Sequence, residues 1–261
     1  MKAFVRIFKL LGYVCCFCSL TVGLLGCATI YNPATGKEEM VLVSTDDERA
    51  IGVKMARHIE GRLELDEDAF VQTRVKAIGE VLAAASDRRD LPYYFKVLKS
   101  EDVNAFTTPG AYVYLFRGLV DQADSDAELA SVIAHEIGHI AARHAAKKME
   151  LEMGYNLVIA LAFSRGSKRD LERYVNIGFD LISRGYSRED ELFADKLAIR
   201  YLIQAGYDPY GMVSFMEKID KIEREKGGVS LYLLRSHPYM SQRIYEAEKE
   251  IAFQLSKRGA R

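Results

Sequence analysis

Apolar and polar residues recur with a helical period along most of the chain after its N-terminal region. Ser44, with Asp47 three residues later, has the spacing of a capping box and predicts a helix that continues to about Ile59. A second helix is predicted over residues 68–85, where the apolar residues fall on one face. The same period predicts helical segments over residues 127–149, 157–163, 171–183, 187–205, 209–225 and 241–256.

Two short segments between these helices have the character of strands. Residues 93–98, just after Pro92, are rich in aromatic and β-branched residues. In residues 111–116, aromatic side chains alternate with valine and leucine, and a turn is predicted before them over residues 107–110. We therefore predict an α+β fold, a predominantly helical domain with a small β-sheet.

The N-terminal segment has the layout of a secretory signal. Basic residues without acids begin the chain, and an apolar run follows over residues 10–25. Gly26 and Cys27 then have the pattern of a bacterial lipobox, which predicts removal of residues 1–26 and lipid attachment at Cys27. An uncleaved membrane anchor is the alternative, but the apolar run is shorter than the roughly 20 residues of a spanning helix.

The other cysteines agree with a secreted lipoprotein. Cleavage before Cys27 removes Cys15, Cys16 and Cys18, and lipid attachment consumes the thiol of Cys27, so the mature domain would contain no free thiol and no disulfide. Such a composition suits an oxidising compartment. Ala28 stands where an Asp usually retains Gram-negative lipoproteins in the inner membrane, which predicts an outer-membrane lipoprotein that faces the periplasm.

Length and charge narrow the class of protein further. A chain of 261 residues can bury a sizeable core, and 49% hydrophobic with 28% charged residues is a globular balance. The net charge of −1 provides no electrostatic basis for a nucleic-acid partner. We predict a tether over residues 27–43 and one catalytic domain over residues 44–261.

The strongest chemical signal is an HExxH motif at residues 135–139, inside a predicted helix. His135 and His139 are four residues apart and project from one face, so both imidazoles can reach a single Zn²⁺ at about 2.0–2.1 Å. Glu136 beside them is a candidate general base. The surrounding residues are apolar, and burial of these polar groups without partners is costly, which favours a zinc site over a structural histidine pair.

A zinc site of this type needs a third protein ligand. The metzincin register would place it at residue 145, which is Ala145, and His144 is out of register. The acidic helix predicted over residues 187–205 offers Glu191 and Asp195, which share a face. One acid would bind zinc, while the other would hold a ligand histidine by its second ring nitrogen or fix the helix pair. The alternative is a solvated acidic face.

Taken in order, the motifs resemble those of the HtpX-type and prenyl-protein-protease-type gluzincin metallopeptidases, particularly their bacterial lipoprotein and periplasmic members. The resemblance extends over residues 30–245. The segments that carry it are residues 32–37, 104–106 with 109–112, 135–139 with 143–144, 191–195, and 236–238 with 243–244.

The resemblance implies a zincin-like domain with one zinc ion bound by His135, His139 and Glu191. Phe193 stands where relatives often have another Glu, which favours Glu191 as the acidic ligand. Glu136 is implied as the general base. The strand over residues 111–116 is expected to bind substrate as an edge strand.

The role of His237 stays open between three interpretations. It is a fourth zinc ligand in a closed state, a residue that stabilises the oxyanion, or a structural histidine before Pro238. His58 and His144 are predicted not to be ligands.

The implied function is that of a zinc metalloendopeptidase of the bacterial envelope, acting on misfolded or unassembled envelope proteins. The rival is an envelope chaperone or assembly scaffold with a structural zinc site, which would not need the base Glu136. A zinc hydrolase that is not a protease is a third interpretation, which the resemblance disfavours.

Overall fold

A computed structural model describes residues 28–154, 158, 160, 168–225 and 232–259 of the chain. Helices dominate these residues and two small sheets accompany them, which confirms the predicted α+β fold class. The strands are β1 (Ala28–Asn32), β2 (Lys37–Val41), β3 (Tyr94–Leu98), β4 (Ala105–Thr108) and β5 (Tyr112–Phe116). The helices are α1 (Thr45–Glu60), α2 (Ala69–Ala85), α3 (Arg117–Val120), α4 (Asp126–Ala142), α5 (His144–Met153), α6 (Lys168–Ser183), α7 (Arg188–Ala205), α8 (Tyr210–Glu225), α9 (Tyr232–Ser236) and α10 (Met240–Gly259).

Strands β1 and β2 form an antiparallel hairpin near the N-terminus of the described chain. The Asn32 side chain accepts a hydrogen bond from the backbone N–H of Ala34 at 3.0 Å, which closes the turn. Glu39 pairs with Lys147 of α5 at 2.9 Å and ties the hairpin to the helices. This hairpin lies within the predicted tether. Its strands were not predicted, because a short segment with a Pro-Ala-Thr-Gly turn has the sequence pattern of a loop.

Strand β5 is the central strand of the three-stranded sheet. It pairs in parallel with β3 and antiparallel with β4, so Tyr114 lies opposite both Lys96 and Phe106. The prediction that residues 111–116 offer a free edge to substrate is therefore wrong, because both edges of β5 are paired. Among the described strands of this sheet, the edge strands are β3 and β4. Strand β4 was not predicted, because its last residues, Thr107 and Thr108, belong to the segment predicted as a turn before Gly110.

The sheet separates two apolar cores. Val113 and Leu115 of β5 face the larger core, where side chains of α2, α4, α7 and α8 pack. Tyr114 and Phe116 face the other way, into a smaller core with side chains of α1, α5 and α6. The alternation predicted for this strand is confirmed, and α4 is consequently packed between the sheet and α7.

Side-chain caps begin several of the helices where the sequence predicts them. Ser44 and Ser187 form capping boxes with Asp47 and Asp190 at the starts of α1 and α7. Asp68 accepts hydrogen bonds from the first turn of α2. These caps fix the residue at which each of the three helices begins.

The single helix predicted over residues 127–149 is wrong, because Arg143 divides it into α4 and α5. Arg143 has a left-handed backbone with φ 63°, and its N–H bonds back to the carbonyls of the last turn of α4. Its buried guanidinium pairs with Glu48 of α1 at 3.1 Å. These tertiary contacts stabilise a break for which the local sequence, without glycine or proline, contains no signal.

Within the part of the chain that the structure describes, no helix has both the length and the apolar composition needed to cross a bilayer. The segment over residues 157–163, predicted to be helical, lies largely outside the described residues, as do the predicted signal peptide and Cys27.

Candidate metal centre

Helices α4 and α7 form an extensive contact, and its closest point lies between the candidate zinc ligands. A Cβ atom on Gly138 would lie 2.6 Å from the backbone oxygen of Ala194, so only glycine allows the two helices to come this close. Gly138 directly precedes His139, and Ala194 lies between the two acids of α7. The contact therefore brings the imidazoles of α4 against Glu191 and Asp195.

Four buried side chains meet at this contact. His135 and His139 come from α4, Glu191 from α7, and His237 from the segment that follows α9. Each offers one nitrogen or oxygen, and the four atoms lie within 4.8 Å of one another. The sequence predicted the first three as zinc ligands and left His237 open between three roles.

The spacing of these atoms fits zinc. Glu191 lies 3.4 Å from Nε2 of His135 and 3.4 Å from Nε2 of His139, while the two Nε2 atoms are 3.0 Å apart. Nδ1 of His237 lies 3.2 Å from Nε2 of His135 and 3.1 Å from Glu191. Ligands about 2.0–2.1 Å from a tetrahedral zinc ion are separated by roughly 3.3 Å, and three nitrogens with one carboxylate oxygen are donors that zinc accepts.

A second set of side chains orients the two histidines of α4. Nδ1 of His135 lies 2.8 Å from the Asp195 carboxylate, and Nδ1 of His139 lies 2.8 Å from Nδ1 of His144. In both histidines the contact at Nδ1 leaves Nε2 directed at the other candidate ligand atoms. Of the two acids of α7, Glu191 therefore lies among the candidate ligand atoms, and Asp195 lies behind the candidate ligand His135.

Arg243 of α10 connects the acids to the rest of the site. Its guanidinium donates to both oxygens of Asp195 at 2.7 Å and lies 2.9 Å from Glu191. It also donates to the backbone oxygen of His237 at 3.3 Å. Arg243 belongs to one of the motifs that carry the family resemblance, but no role was predicted for it. Sequence spacing alone cannot show that α10 packs beside α7.

Burial and charge shift the pKa values in this cluster. Burial alone would raise the pKa of Glu191, but the charges of His237 and Arg243 hold it well below its usual range. Burial lowers the pKa of His139 to about 3, so its imidazole is in the neutral form that binds metal. Burial and Arg243 oppose protonation of His135, but Asp195 and Glu191 raise its pKa to about 9.

Glu136 differs from the other buried acids in its surroundings. Neither of its carboxylate oxygens has a hydrogen-bond partner among the described residues, although the side chain is only 1% exposed. Nε2 of His237 lies 3.4 Å from one of its carboxylate oxygens. Burial raises the pKa of Glu136, which makes its carboxylate a better proton acceptor at neutral pH.

A cavity of about 610 Å³ opens beside the cluster. Glu136, His237 and Tyr186 line one end of it, and Asn104 and Phe106 line it at the edge strand β4. The remaining apolar lining comes from Leu63, Phe116, Phe179 and Ile182. The cavity is large enough for one or two side chains of a peptide and places them next to Glu136.

The two histidines predicted not to be ligands lie elsewhere. His144 stands behind His139 and also contacts Asp190 at 3.3 Å. His58 of α1 bonds to Asn176 of α6 at 2.8 Å. Neither belongs to the group of four ligand atoms.

The model of peptidase family M48 matches residues 70–251, more than half of the chain. The chain belongs to peptidase family M48. The resemblance to a metallopeptidase family, drawn from the ordered motifs, is thereby confirmed, and the predicted cofactor, zinc, is the metal of that family. The matched residues include both histidines of the HExxH motif, the acids of α7, and His237 with Arg243.

Several curated proteins are similar to this M48 chain. The beta-barrel assembly-enhancing protease of Yersinia pestis is 27% identical over 82% of this chain and 46% of its own length. Metalloprotease LoiP of Escherichia coli is 32% identical over 58% of this chain and 60% of its own. The mitochondrial metalloendopeptidase OMA1 of Schizosaccharomyces pombe is 29% identical over 64% of this chain and 49% of its own length. The chain spans about half the length of the curated relatives it matches.

Proposed function

We propose that this M48 chain is a zinc metalloendopeptidase of the bacterial cell envelope that cleaves misfolded or unassembled envelope proteins. The observation that carries the proposal is the buried carboxylate of Glu136, which has no hydrogen-bond partner among the described residues and lies beside the four ligand atoms. A structural zinc site needs ligands alone, and a buried acid without a partner would only weaken the fold.

The proposed mechanism assigns a role to each side chain of the site. His135, His139 and Glu191 would hold the zinc ion, which when bound would polarise the scissile carbonyl and lower the pKa of a water molecule towards about 7. Glu136 takes a proton from the attacking water as the water oxygen bonds to the carbonyl carbon. It then passes that proton to the amine nitrogen as the carbon–nitrogen bond breaks.

Of the three roles open to His237, that of a fourth zinc ligand fits best. Its Nδ1 lies at ligand spacing from His135 and Glu191, which an oxyanion donor or a structural residue would not require. A catalytic zinc site keeps one position for water. In this arrangement His237 therefore holds the site closed until substrate displaces it.

The substrate is expected to bind along β4. Among the described strands β4 is an edge strand paired with β5, and its residues Phe106 and Thr107 line the cavity, as does Asn104 just before it. A peptide that adds to the free edge would be held by main-chain hydrogen bonds, which any extended sequence can make. Binding through the backbone requires an unfolded segment, which agrees with misfolded substrates.

The apolar lining of the cavity suggests the preferred side chain. Phe106, Phe116, Phe179 and Ile182 line the same cavity as Glu136. A large apolar side chain next to the scissile bond would bury apolar surface in this cavity. Such burial stabilises the complex by about 25 cal/mol for each Å² removed from water. Apolar side chains are exposed in unfolded envelope proteins and hidden in assembled ones.

The place of action follows from the N-terminal residues and the relatives. Gly26 and Cys27 have the lipobox pattern, and Ala28 favours the outer membrane, facing the periplasm. One similar protein is named for enhancing the assembly of β-barrels. We assign the same kind of substrate, an unassembled envelope protein, to this chain.

The proposal is tested with Glu136→Gln, which removes the base and leaves the ligands. The variant should bind one zinc ion like the wild type, keep its melting temperature, and cleave a urea-denatured outer-membrane protein about 10²–10⁴-fold more slowly. Glu189→Gln is the matched control, because Glu189 is exposed on α7 close to the site.

The outcomes separate the enzyme from a scaffold. A scaffold predicts no cleavage by either protein and full support of envelope function by Glu136→Gln in a deletion strain. Equal cleavage by both proteins would show that Glu136 is not the base. Equal cleavage of folded and denatured substrate would leave the peptidase in place and overturn the proposed substrate class.

A further inference from the structure

The hydroxyl of Tyr186 is a second buried polar group without a hydrogen-bond partner at the metal centre, judged among the described residues. Tyr186 lies in the short loop between α6 and α7 and lines the same cavity as Glu136 and His237. A buried hydroxyl without a partner destabilises a fold, so phenylalanine would serve a purely structural position better. The unpartnered hydroxyl therefore indicates a partner that is not part of this chain.

The ring of Tyr186 is held firmly in place. It stacks on the ring of His139 with centroids 4.2 Å apart and planes at 23°, and the ammonium of Lys148 lies 5.5 Å from its centroid. The preceding Gly185 has φ 79°, and a Cβ there would lie 2.5 Å from the backbone oxygen of Ser236. The loop is thus packed against the segment that carries His237. This packing fixes the direction of the Tyr186 hydroxyl, but no described residue forms a hydrogen bond with that hydroxyl.

Peptide hydrolysis needs two polar groups besides the metal ligands. One accepts the proton of water, and one donates a hydrogen bond to the carbonyl oxygen as that oxygen gains negative charge. Glu136 is the unpartnered acceptor in this cavity. Both nitrogens of His237 are engaged, since Nδ1 lies among the ligand atoms and Nε2 lies 3.4 Å from Glu136.

We propose that Tyr186 is a catalytic residue whose hydroxyl donates a hydrogen bond to the carbonyl oxygen of the scissile peptide bond in the transition state. The inference rests on the proposed peptidase function. The donor is preorganised, because its ring is fixed by stacking and by the close packing of Gly185. A donor fixed in advance is most effective where water is excluded, as it is around the buried hydroxyl.

Tyr186→Phe tests the inference, since it keeps the ring and removes only the hydroxyl. We expect unchanged zinc content and melting temperature, KM within about twofold, and kcat lower by about 10²-fold or more, as for other single oxyanion donors. Tyr93→Phe is the matched control. Tyr93 is partly buried and does not line the cavity, and its hydroxyl shares a hydrogen bond with Ser86 at 3.2 Å.

A binding measurement gives a readout that does not depend on turnover. A phosphinic Phe–Leu pseudopeptide carries a tetrahedral, negatively charged centre in place of the scissile bond. Its affinity should fall in Tyr186→Phe by a factor close to the loss in kcat. The affinity of the corresponding amide peptide, measured in a Glu136→Gln background, should not change.

Three results would overturn the inference. Wild-type kcat and phosphinate affinity in Tyr186→Phe would show that the hydroxyl does not act in the reaction. Loss of zinc would assign the hydroxyl to the metal site instead. An equal fall in affinity for the amide and the phosphinate would make it a ground-state contact. Failure of the wild type to cleave would count against the proposed function rather than against Tyr186 alone.

Discussion

Replacing Gly138 by alanine should separate the two helices that build the metal centre. The new Cβ would lie 2.6 Å from the backbone oxygen of Ala194. A relaxed carbon–oxygen contact begins at about 3.3 Å, so α4 and α7 must move apart by roughly 0.7 Å at this point. Metal–ligand distances tolerate deviations of only about 0.2 Å, so the imidazoles of α4 and the carboxylate of Glu191 can no longer bind one zinc ion at ideal distances.

The expected magnitudes follow from the clash. Overpacking of this kind costs about 1–3 kcal/mol, and in a domain of this size each kcal/mol lowers the melting temperature by about 2–4 °C. We expect Gly138→Ala to melt lower by about 2–12 °C in EDTA and to bind zinc at least about tenfold more weakly. Calorimetry and a competition titration with a zinc chelator measure the two effects separately.

Whether Gly138→Ala raises or lowers the melting temperature shows whether the clash with Ala194 exists. Alanine is favoured over glycine inside a helix by about 1 kcal/mol, so a variant without a clash would be more stable than the wild type. Gly61→Ala is the control, because Gly61 has right-handed backbone angles at the end of α1, far from α7. A Gly138→Ala protein that melts higher and retains full zinc affinity would refute the close contact.

Two further predictions concern the acidic ligand and the anchor. Glu191→Ala should lose zinc and peptidase activity together while Glu189→Ala keeps both, and full zinc content in Glu191→Ala, measured by mass spectrometry of the native protein, would place the ligand elsewhere. The mature protein purified from membranes should begin at a lipidated Cys27, and detection of an intact peptide that contains Lys2 would contradict the lipobox prediction.

Sequence spacing predicted the parts of the site that lie within single helices. His135 and His139 are one turn apart on α4, and Glu191 and Asp195 are one turn apart on α7, so local geometry makes each pair a unit. The division of labour between the two acids could not be derived from spacing. It depends on the height at which α7 packs along α4, and the close contact at Gly138 sets that height.

The features that sequence analysis missed depend on contacts between distant segments. Strand β4 is short and follows no period of its own, and it exists because β5 pairs with it. The break at Arg143 exists because Glu48 and the backbone of Val43 bind its guanidinium. Tyr186 has the appearance of an ordinary loop residue in the sequence, and only the structure shows that it lines the cavity with a buried hydroxyl that has no partner among the described residues.

The balance of buried charge explains why this cluster suits a divalent cation. Glu136, Glu191 and Asp195 are buried carboxylates, and Arg243 is the buried guanidinium that contacts two of them. With neutral histidines, these side chains leave two negative charges unbalanced in a buried site, which is costly. Against burial and the charge of Arg243, the carboxylates of Asp195 and Glu191 raise the pKa of His135 to about 9, which reflects that excess, while burial raises the pKa of Glu136. A zinc ion brings the two positive charges that the side chains lack, so its binding should release protons and stabilise the packing of α7 against α4.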